Sequence, residues 1–378
     1  MAVVRSARAP LVAILTMPDD QKKFRGNRQN FIDIIETGKT MGVHVVVVTT
    51  RDLYPDRDRV IAYDYDSDTK QWKPRWFPLP HVIYNRIPFR EDEQQPEVRQ
   101  LILACLRHPQ IQLYNPYFFN KWELFHWLNR SAITRPYIPY TRKYSKKTRL
   151  LPLLKRFPYL YLKPQSGKAG RGIMRLRRKV SAKWPYQLSI QESKKSQTLH
   201  FARLADMRKH LEKLIGDEAY IIQQGIRLTK VNGRPFDLRI LIQKNKRGKW
   251  KVTGIGARMA GEESITTHVP RGGTIEDPRK LLTASFGNTA TKSLLRRVAA
   301  ATVRMARQIE RGCGNPLGEM SIDLGVDVNG KLWFFEANSK PMKFDEPDIR
   351  VKSLRTIIEY CTYLAKRTKK TGGGRVAR

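Results

Sequence analysis

Toward its C-terminal end the chain reads MSIDLGVDVNGKLWFFEAN, two β-prone runs joined by Val328-Asn329-Gly330. Asn-Gly is the strongest short hairpin signal. This part of the chain is therefore committed to a pair of antiparallel strands. Along a strand, side chains at i and i+2 share a face, so Glu336 and Asn338 point the same way. Asp323 lies in the partner strand, and the turn brings it alongside the run from Trp333 to Asn338. Two carboxylates and an amide oxygen thus meet on one sheet face, flanked by Leu332, Phe334 and Ala337. Mg²⁺ suits such a set, since it takes one or two carboxylates and completes its shell with water and nucleotide phosphate oxygens. Surface acids on a hairpin would give the same pattern, and a second element has to decide between the two.

That element is YLKPQSGKAGRGI. Lys163 ends an apolar strand beginning at Tyr159, and a loop with Ser166, Gly167, Gly170 and Gly172 follows. Glycines let backbone N–H groups converge on phosphate oxygens, and a lysine ammonium supplies a point charge for the same group. The loop lacks the Gly-Lys-Ser/Thr that opens a helix in a Walker A motif.

The start of the chain reads as a β-α-β unit. A strand over 11 to 15 leads to a helix carrying Phe31, Ile34, Ile35 and Met41, then to Gly42 as a C-cap and a strand over 43 to 48. No Gly-x-Gly-x-x-Gly follows the first strand, so no dinucleotide is expected there. A hairpin over 60 to 77 and a strand from His81 come next. Asn120 is placed to cap a short helix, and Leu294, Val298, Ala301, Met305 and Ile309 form the stripe of a longer one ended by Gly312. Residues 1 to 116 read as one α/β domain and 117 to 365 as a second, with a lid subdomain over about 150 to 225. Residues 366 to 378 read as a basic flexible tail.

Charge is the odd feature: 72 Lys and Arg face 34 Asp and Glu, a net +38. Such a field attracts polyanions. No acid occurs between Glu123 and Glu192, the stretch that holds the glycine loop. No RNP, zinc-finger or helix-turn-helix pattern accompanies the charge, so sequence-specific nucleic-acid recognition is not expected. Cys105, Cys313 and Cys361 are too widely spaced for a zinc site or a disulfide framework. The apolar run near the N-terminus is short and no Ala-x-Ala site follows it, so no signal peptide is read. No run approaches the roughly 20 apolar residues of a membrane span, and a cytoplasmic location is the default expectation.

Taken in order, Asn120-Lys121, YLKPQSGKAGRGI, IIQQGI from Ile221, FDLRIL from Phe236, GARM from Gly256, HVPRGG from His268 and the Asp323, Glu336, Asn338 set resemble the ATP-grasp superfamily. The ending SIDLGVDVNGKLWFFEANSKP, with LPHVIYNRIP and FFNKWELF, is similar to the YheC/YheD family, associated with the bacterial endospore coat. The resemblance implies an α+β ATP-grasp fold behind an N-terminal α/β pre-ATP-grasp domain. It implies that Lys121 and Lys163 contact ATP phosphates, that residues 166 to 172 form a lid, and that Gln223, Gln224 and Ile226 form a hinge reading adenine. Arg239 and Arg258 would face the γ-phosphate or an acyl phosphate, while Asp323, Glu336 and Asn338 bind Mg²⁺. The implied activity is an ATP-dependent carboxylate–amine ligase, with an acidic peptide or polymer as substrate and spore-coat components as partners. The alternative is a non-catalytic coat scaffold that keeps the fold. Four residues depart from the family's pattern: Thr229 and Lys230 stand where many relatives carry an acid for the ribose hydroxyls, His268 where Asn is common, and Ser321 where some ligases carry an oxyanion-binding Arg.

Overall fold

The computed structural model describes residues 10–166, 171–180, 182–192, 195–267 and 272–372, with side chains through 367. The first sheet is built from β1 (Leu11–Thr16), β4 (His44–Thr49), β5 (Arg59–Asp66), β6 (Gln71–Pro78), β7 (Val82–Asn85) and β8 (Gln112–Tyr114), while β2 (Pro18–Asp19) and β3 (Lys23–Phe24) pair only with each other. Its order is β6-β5-β4-β1-β7-β8, parallel from β4 through β8. Strand β1 is buried along its whole length, as a central parallel strand covered on both faces must be. Helix α1 (Arg28–Thr40), capped by the Asn27 side chain, covers one face with Phe31, Ile34 and Ile35. After the short α2 (Arg90–Gln94), α3 (Pro96–Arg107) covers the other with Val98, Ile102 and Cys105. The β-α-β unit and the following hairpin match the sequence reading. Helix α3 was not read from the sequence, although Pro96 stands at its first position, where a missing N–H costs nothing.

The second sheet is antiparallel, ordered β13-β12-β11-β10-β14-β9. Its strands are β9 (Thr141–Lys143), β10 (Leu160–Pro164), β11 (Met174–Arg178), β12 (Tyr186–Gln191), β13 (Ser196–Phe201) and β14 (Tyr220–Gln224). Alternation divides its faces. Leu160, Leu162, Met174, Leu176 and Leu188 pack beneath α5 (Leu150–Arg156) and α6 (Leu204–Ile215), while Tyr161, Lys163 and Arg175 turn the other way.

The third sheet runs β18-β17-β16-β19-β20: β18 (Thr274–Glu276), β17 (Trp250–Met259), β16 (Arg234–Lys244), β19 (Glu319–Val326) and β20 (Leu332–Asn338), with β15 (Lys230–Val231) beside β16. Leu238, Ile240, Ile322 and Leu324 pack against α4 (Lys121–Asn129), α7 (Pro278–Phe286) and α8 (Asn288–Cys313). Asn120 caps α4 by accepting from the N–H groups of Trp122 and Glu123. Helix α8 runs past Gly312 and ends at Gly314, whose φ of 66° suits a residue without Cβ. Gly312 serves contact instead, since a Cβ there would overlap the Trp127 ring.

Helix α9 (Pro347–Gly372) packs Ile357, Ile358, Cys361 and Leu364 into the core of the first sheet, and Ile349 against Leu241 of the third. Its backbone is helical into the stretch read as a tail, because Leu364 to Lys370 holds no helix breaker before Gly372.

Candidate active site

The open faces of the second and third sheets bound a cleft of about 900 Å³. Lys163, Tyr161 and Tyr159 line it from β10 and the residue before that strand, and Arg175 and Arg177 from β11. Lys163 donates from Nζ to Gln223 Oε1 at 2.7 Å, and Gln223 in turn donates to Thr141 Oγ1 at 2.9 Å. Burial pushes the Lys163 ammonium down to about 8; Lys121 adds to the shift, while Glu336, Asp237 and Asp323 oppose it. A lysine from mid-chain and the acids of the C-terminal hairpin therefore feel one another across a single cleft.

The opposite wall is acidic but largely neutralised. Asp237 pairs in register with Arg258, and Arg239 with Asp323. Arg258 spans both carboxylates: Nε lies 3.1 Å from Asp237 Oδ1, and Nη2 lies 3.2 Å from Asp237 Oδ2 and 2.7 Å from Asp323 Oδ2. Thr267 donates to Asp237 as well. Glu336 takes Lys121 Nζ at 2.8 Å. Asp323 Oδ1 is buried with no hydrogen-bond partner among the described residues. An unpartnered carboxylate oxygen is costly in a dry site, and a cation beside it would remove the cost. No group of three or more His, Cys, Asp or Glu among the described residues is close enough to hold a metal alone. The donors that face the cleft, Asp323 and Glu336, are two carboxylates, a set that Mg²⁺ accepts when substrate oxygens complete its shell.

A β-bulge aims these acids. Asp323 faces Glu336 and Leu324 faces Phe334, leaving Phe335 unpaired between them. Phe335 and Glu336 both line the cleft, while Phe334 and Ala337 stay in the core.

The other residues singled out from sequence are distributed as follows. Gln224 and Ile226 line the cleft with Gln223, but the Ile226 carbonyl already accepts from Tyr159 Oη and Leu228 N–H. Arg258 lines the cleft, held by its two acids; Arg239 does not, and its guanidinium lies 5.1 Å from the Phe344 ring centre. Asn338 sits opposite Ser321, farther along the sheet and outside the cleft lining. Ser166 is exposed and outside the lining too. Gly172 has φ 72°, and a Cβ there would come within 2.9 Å of Pro164 Cγ. Gly167, Gly170 and His268 lie outside the described residues. Tyr159, Tyr161, Arg175, Arg177 and Phe335 were missed as cleft residues; the alternation Tyr159, Tyr161, Lys163 in YLYLK was the available signal.

A lid sheet facing a core sheet, with cations on one side of the cleft and acids on the other, defines an ATP-grasp fold. The chain belongs to the YheC/D like ATP-grasp family, whose model matches residues 110–364. It is 30% identical over 305 residues to the endospore coat-associated protein YheD of Bacillus subtilis (strain 168), covering 78% of this chain but only 65% of YheD. To the endospore coat-associated protein YheC of the same organism it is 23% identical over 347 residues, covering 90% of this chain and 93% of YheC. The D-alanine–D-alanine ligase from Bacillus anthracis, solved in complex with ATP, superposes with a TM-score of 0.53 at 13% identity, covering 96% of this chain and 99% of the ligase.

Proposed function

We propose that this chain binds Mg²⁺-ATP in the cleft and uses it to join a carboxylate to an amine. The observation that carries the reading is the opposition of Lys163 to Asp323 and Glu336 across one cavity. Lys121 and Lys163 would neutralise phosphate charge, with Ser166, Gly167, Gly170 and Gly172 as the loop over it and Gln223, Gln224 and Ile226 at the base. Asp323, Glu336 and Asn338 would hold Mg²⁺, which supplies charge neutralisation on the phosphates when bound. In this chemistry a substrate carboxylate attacks the γ-phosphorus and ADP leaves; an amine then attacks the acyl carbon and phosphate leaves. Protein groups need only align the attack and offset charge, which suits Arg258 and requires no covalent nucleophile; Arg239, outside the cleft lining, would have to swing off Phe344 to join it. The basic lid fits an acidic peptide or polymer as the carboxylate partner, and the coat-associated relatives favour coat components as the setting.

A second reading is a coat scaffold that binds nucleotide without turnover. It is favoured by Arg258 sitting on Asp323 and by Thr229 and Lys230 standing where an acid would read the ribose. Calorimetry with a non-hydrolysable ATP analogue tests the shared step: Mg²⁺-dependent binding is expected, weakened roughly 10- to 100-fold by Glu336→Gln. ADP release on adding coat extract supports the ligase. Binding without ADP release under any extract leaves the scaffold, and no binding sinks both.

A further inference from the structure

On the side of the third sheet away from the cleft, α8 carries a surface that the nucleotide chemistry leaves unused. Its inner stripe, Leu294, Val298, Ala301, Met305 and Ile309, packs into the core. Between Lys292 and Arg311 the exposed positions are Lys292, Arg296, Arg297, Arg304, Arg307 and Arg311, interrupted only by Ser293 and Ala300. At 100° per residue these positions fall within about 140° of the helix circumference and extend over about 28 Å. The single acid of the helix, Glu310, stands half-buried at the edge of this arc and is taken by Lys244 and Trp250 Nε1. None of the six cations forms a salt bridge with another described residue; Arg296 and Arg311 make only long contacts within their own helix. Lys292 and Arg296, Arg304 and Arg307, and Arg307 and Arg311 are like-charged neighbours at helical spacing, which opposes helix formation. Apart from Arg311, whose charge in the last turn suits the helix dipole, folding gains nothing from keeping this face cationic.

We propose that the exposed face of α8 is a docking surface for the phosphate backbone of a nucleic acid, bound without regard to sequence. Five of the six cations are arginines, whose planar fork matches oxyanions. No exposed aromatic or large aliphatic side chain stands among them. A folded-protein interface would need such an anchor at its centre, and an amphipathic membrane helix would need an apolar face to insert. Phosphate-backbone binding needs neither, because counterion release supplies the free energy. Absence of aromatics also removes any platform for stacking unpaired bases, so a duplex is the fitting form. Since the cleft lies on the opposite face of the sheet, this surface works independently of nucleotide binding.

The test is fluorescence anisotropy of a labelled 20-base-pair duplex against the full chain over a salt series. Wild type should bind with a steep fall of affinity as salt rises. The triple variant Arg297→Gln/Arg304→Gln/Arg311→Gln should lose roughly tenfold or more at fixed salt and flatten the logarithmic salt slope by about 2 to 3, at 0.9 per lost phosphate contact. Arg59→Gln/Arg75→Gln/Arg107→Gln, three exposed cations on the first domain, should change either quantity little. Equal losses from both triples would mean diffuse attraction by the whole +38 molecule and overturn the assignment, as would no binding by wild type at low salt. Polyglutamate competing as well as unlabelled duplex would give the surface to an acidic polypeptide and overturn it too. The Arg→Lys version of the α8 triple keeps the charge and should keep the salt slope and most of the binding; if it flattens the slope as much as the Gln triple, counterion release is not what binds and the proposal fails.

Discussion

Lys163 is asked to be charged in a place that resists charge. Burial lowers its pKa to about 8, from an unfolded value near 10.5. Below pH 8 both states carry the proton and the folded state bears the penalty in full. Between about 8 and 10.5 the unfolded chain holds more protons, so the ligand-free protein gains stability from this group as pH rises. Nucleotide affinity should move oppositely, falling up to about tenfold per pH unit above 8, since phosphate needs the ammonium. Lys163→Arg should erase that inflection, because a guanidinium does not titrate there. Affinity that stays flat from pH 7 to 9.5 in wild type would remove Lys163 from the phosphate site. The residue itself was legible, as a lysine ending an apolar strand before a glycine loop. The clamp of Arg258 on Asp237 and Asp323 was not, because it depends on which strands lie on either side of β16, and register across β17, β16 and β19 is not written in any one segment.

At the scale of elements, the end of the cleft at Ile226 rests on a close approach. Gly225 N donates to Tyr159 O at 2.8 Å, and a Cβ on Gly225 would overlap the Tyr159 ring, whose hydroxyl is tied to the Ile226 carbonyl. Gly225→Ala should therefore cost about 1–3 kcal/mol in urea unfolding. In a Tyr159→Ala background the cost should largely vanish, because the clash partner is gone; additive losses would mean that the glycine is needed for another reason. Hairpin geometry was similarly half legible. Both strands are where the residues put them, but the connection spans 327 to 331: Gly330 takes φ 73° while Asn329 is not among the residues of positive φ, and the Asp327 side chain accepts from the N–H groups of Asn329 and Lys331. Strict alternation, however, would set Phe334 and Glu336 on the same side, one in the core and one needing the cleft. The bulge at Phe335 reconciles them, and an extra unpaired residue leaves no mark in a hydrophobic pattern. Gly312 carried the opposite lesson: it resembles a cap, yet its missing Cβ makes room for Trp127.

The whole molecule is joined along a buried polar seam between the first and third sheets. Asn115, at φ 55°, donates from Nδ2 to the carbonyls of Glu319 and Ser339 and accepts from Gly318 N. Glu319 gathers Tyr84, Arg86 and Gln243, the last at 2.9 Å. Lys340, from the strand end beyond Asn338, is ion-paired with Glu93 of α2, both nearly inaccessible to water. Apart from Gln243 with Glu319, these partners stand more than 200 positions apart, so no local pattern announces them. Burial disfavours the charge on each of the last two, pushing Glu93 up and Lys340 down, so neither is comfortable without the other. Lys340→Met should strand Glu93 and cost about 3–5 kcal/mol of stability in urea unfolding, while Glu93→Gln/Lys340→Met should recover most of that loss. A single variant that loses under about 1 kcal/mol would show that water reaches the seam and that the two sheets are held by their apolar contacts with α9 instead. Because the pair lies just beyond β20, the same substitution also tests whether the position of Glu336 and Asn338 depends on the first sheet: nucleotide affinity should fall in Lys340→Met and return in the double variant.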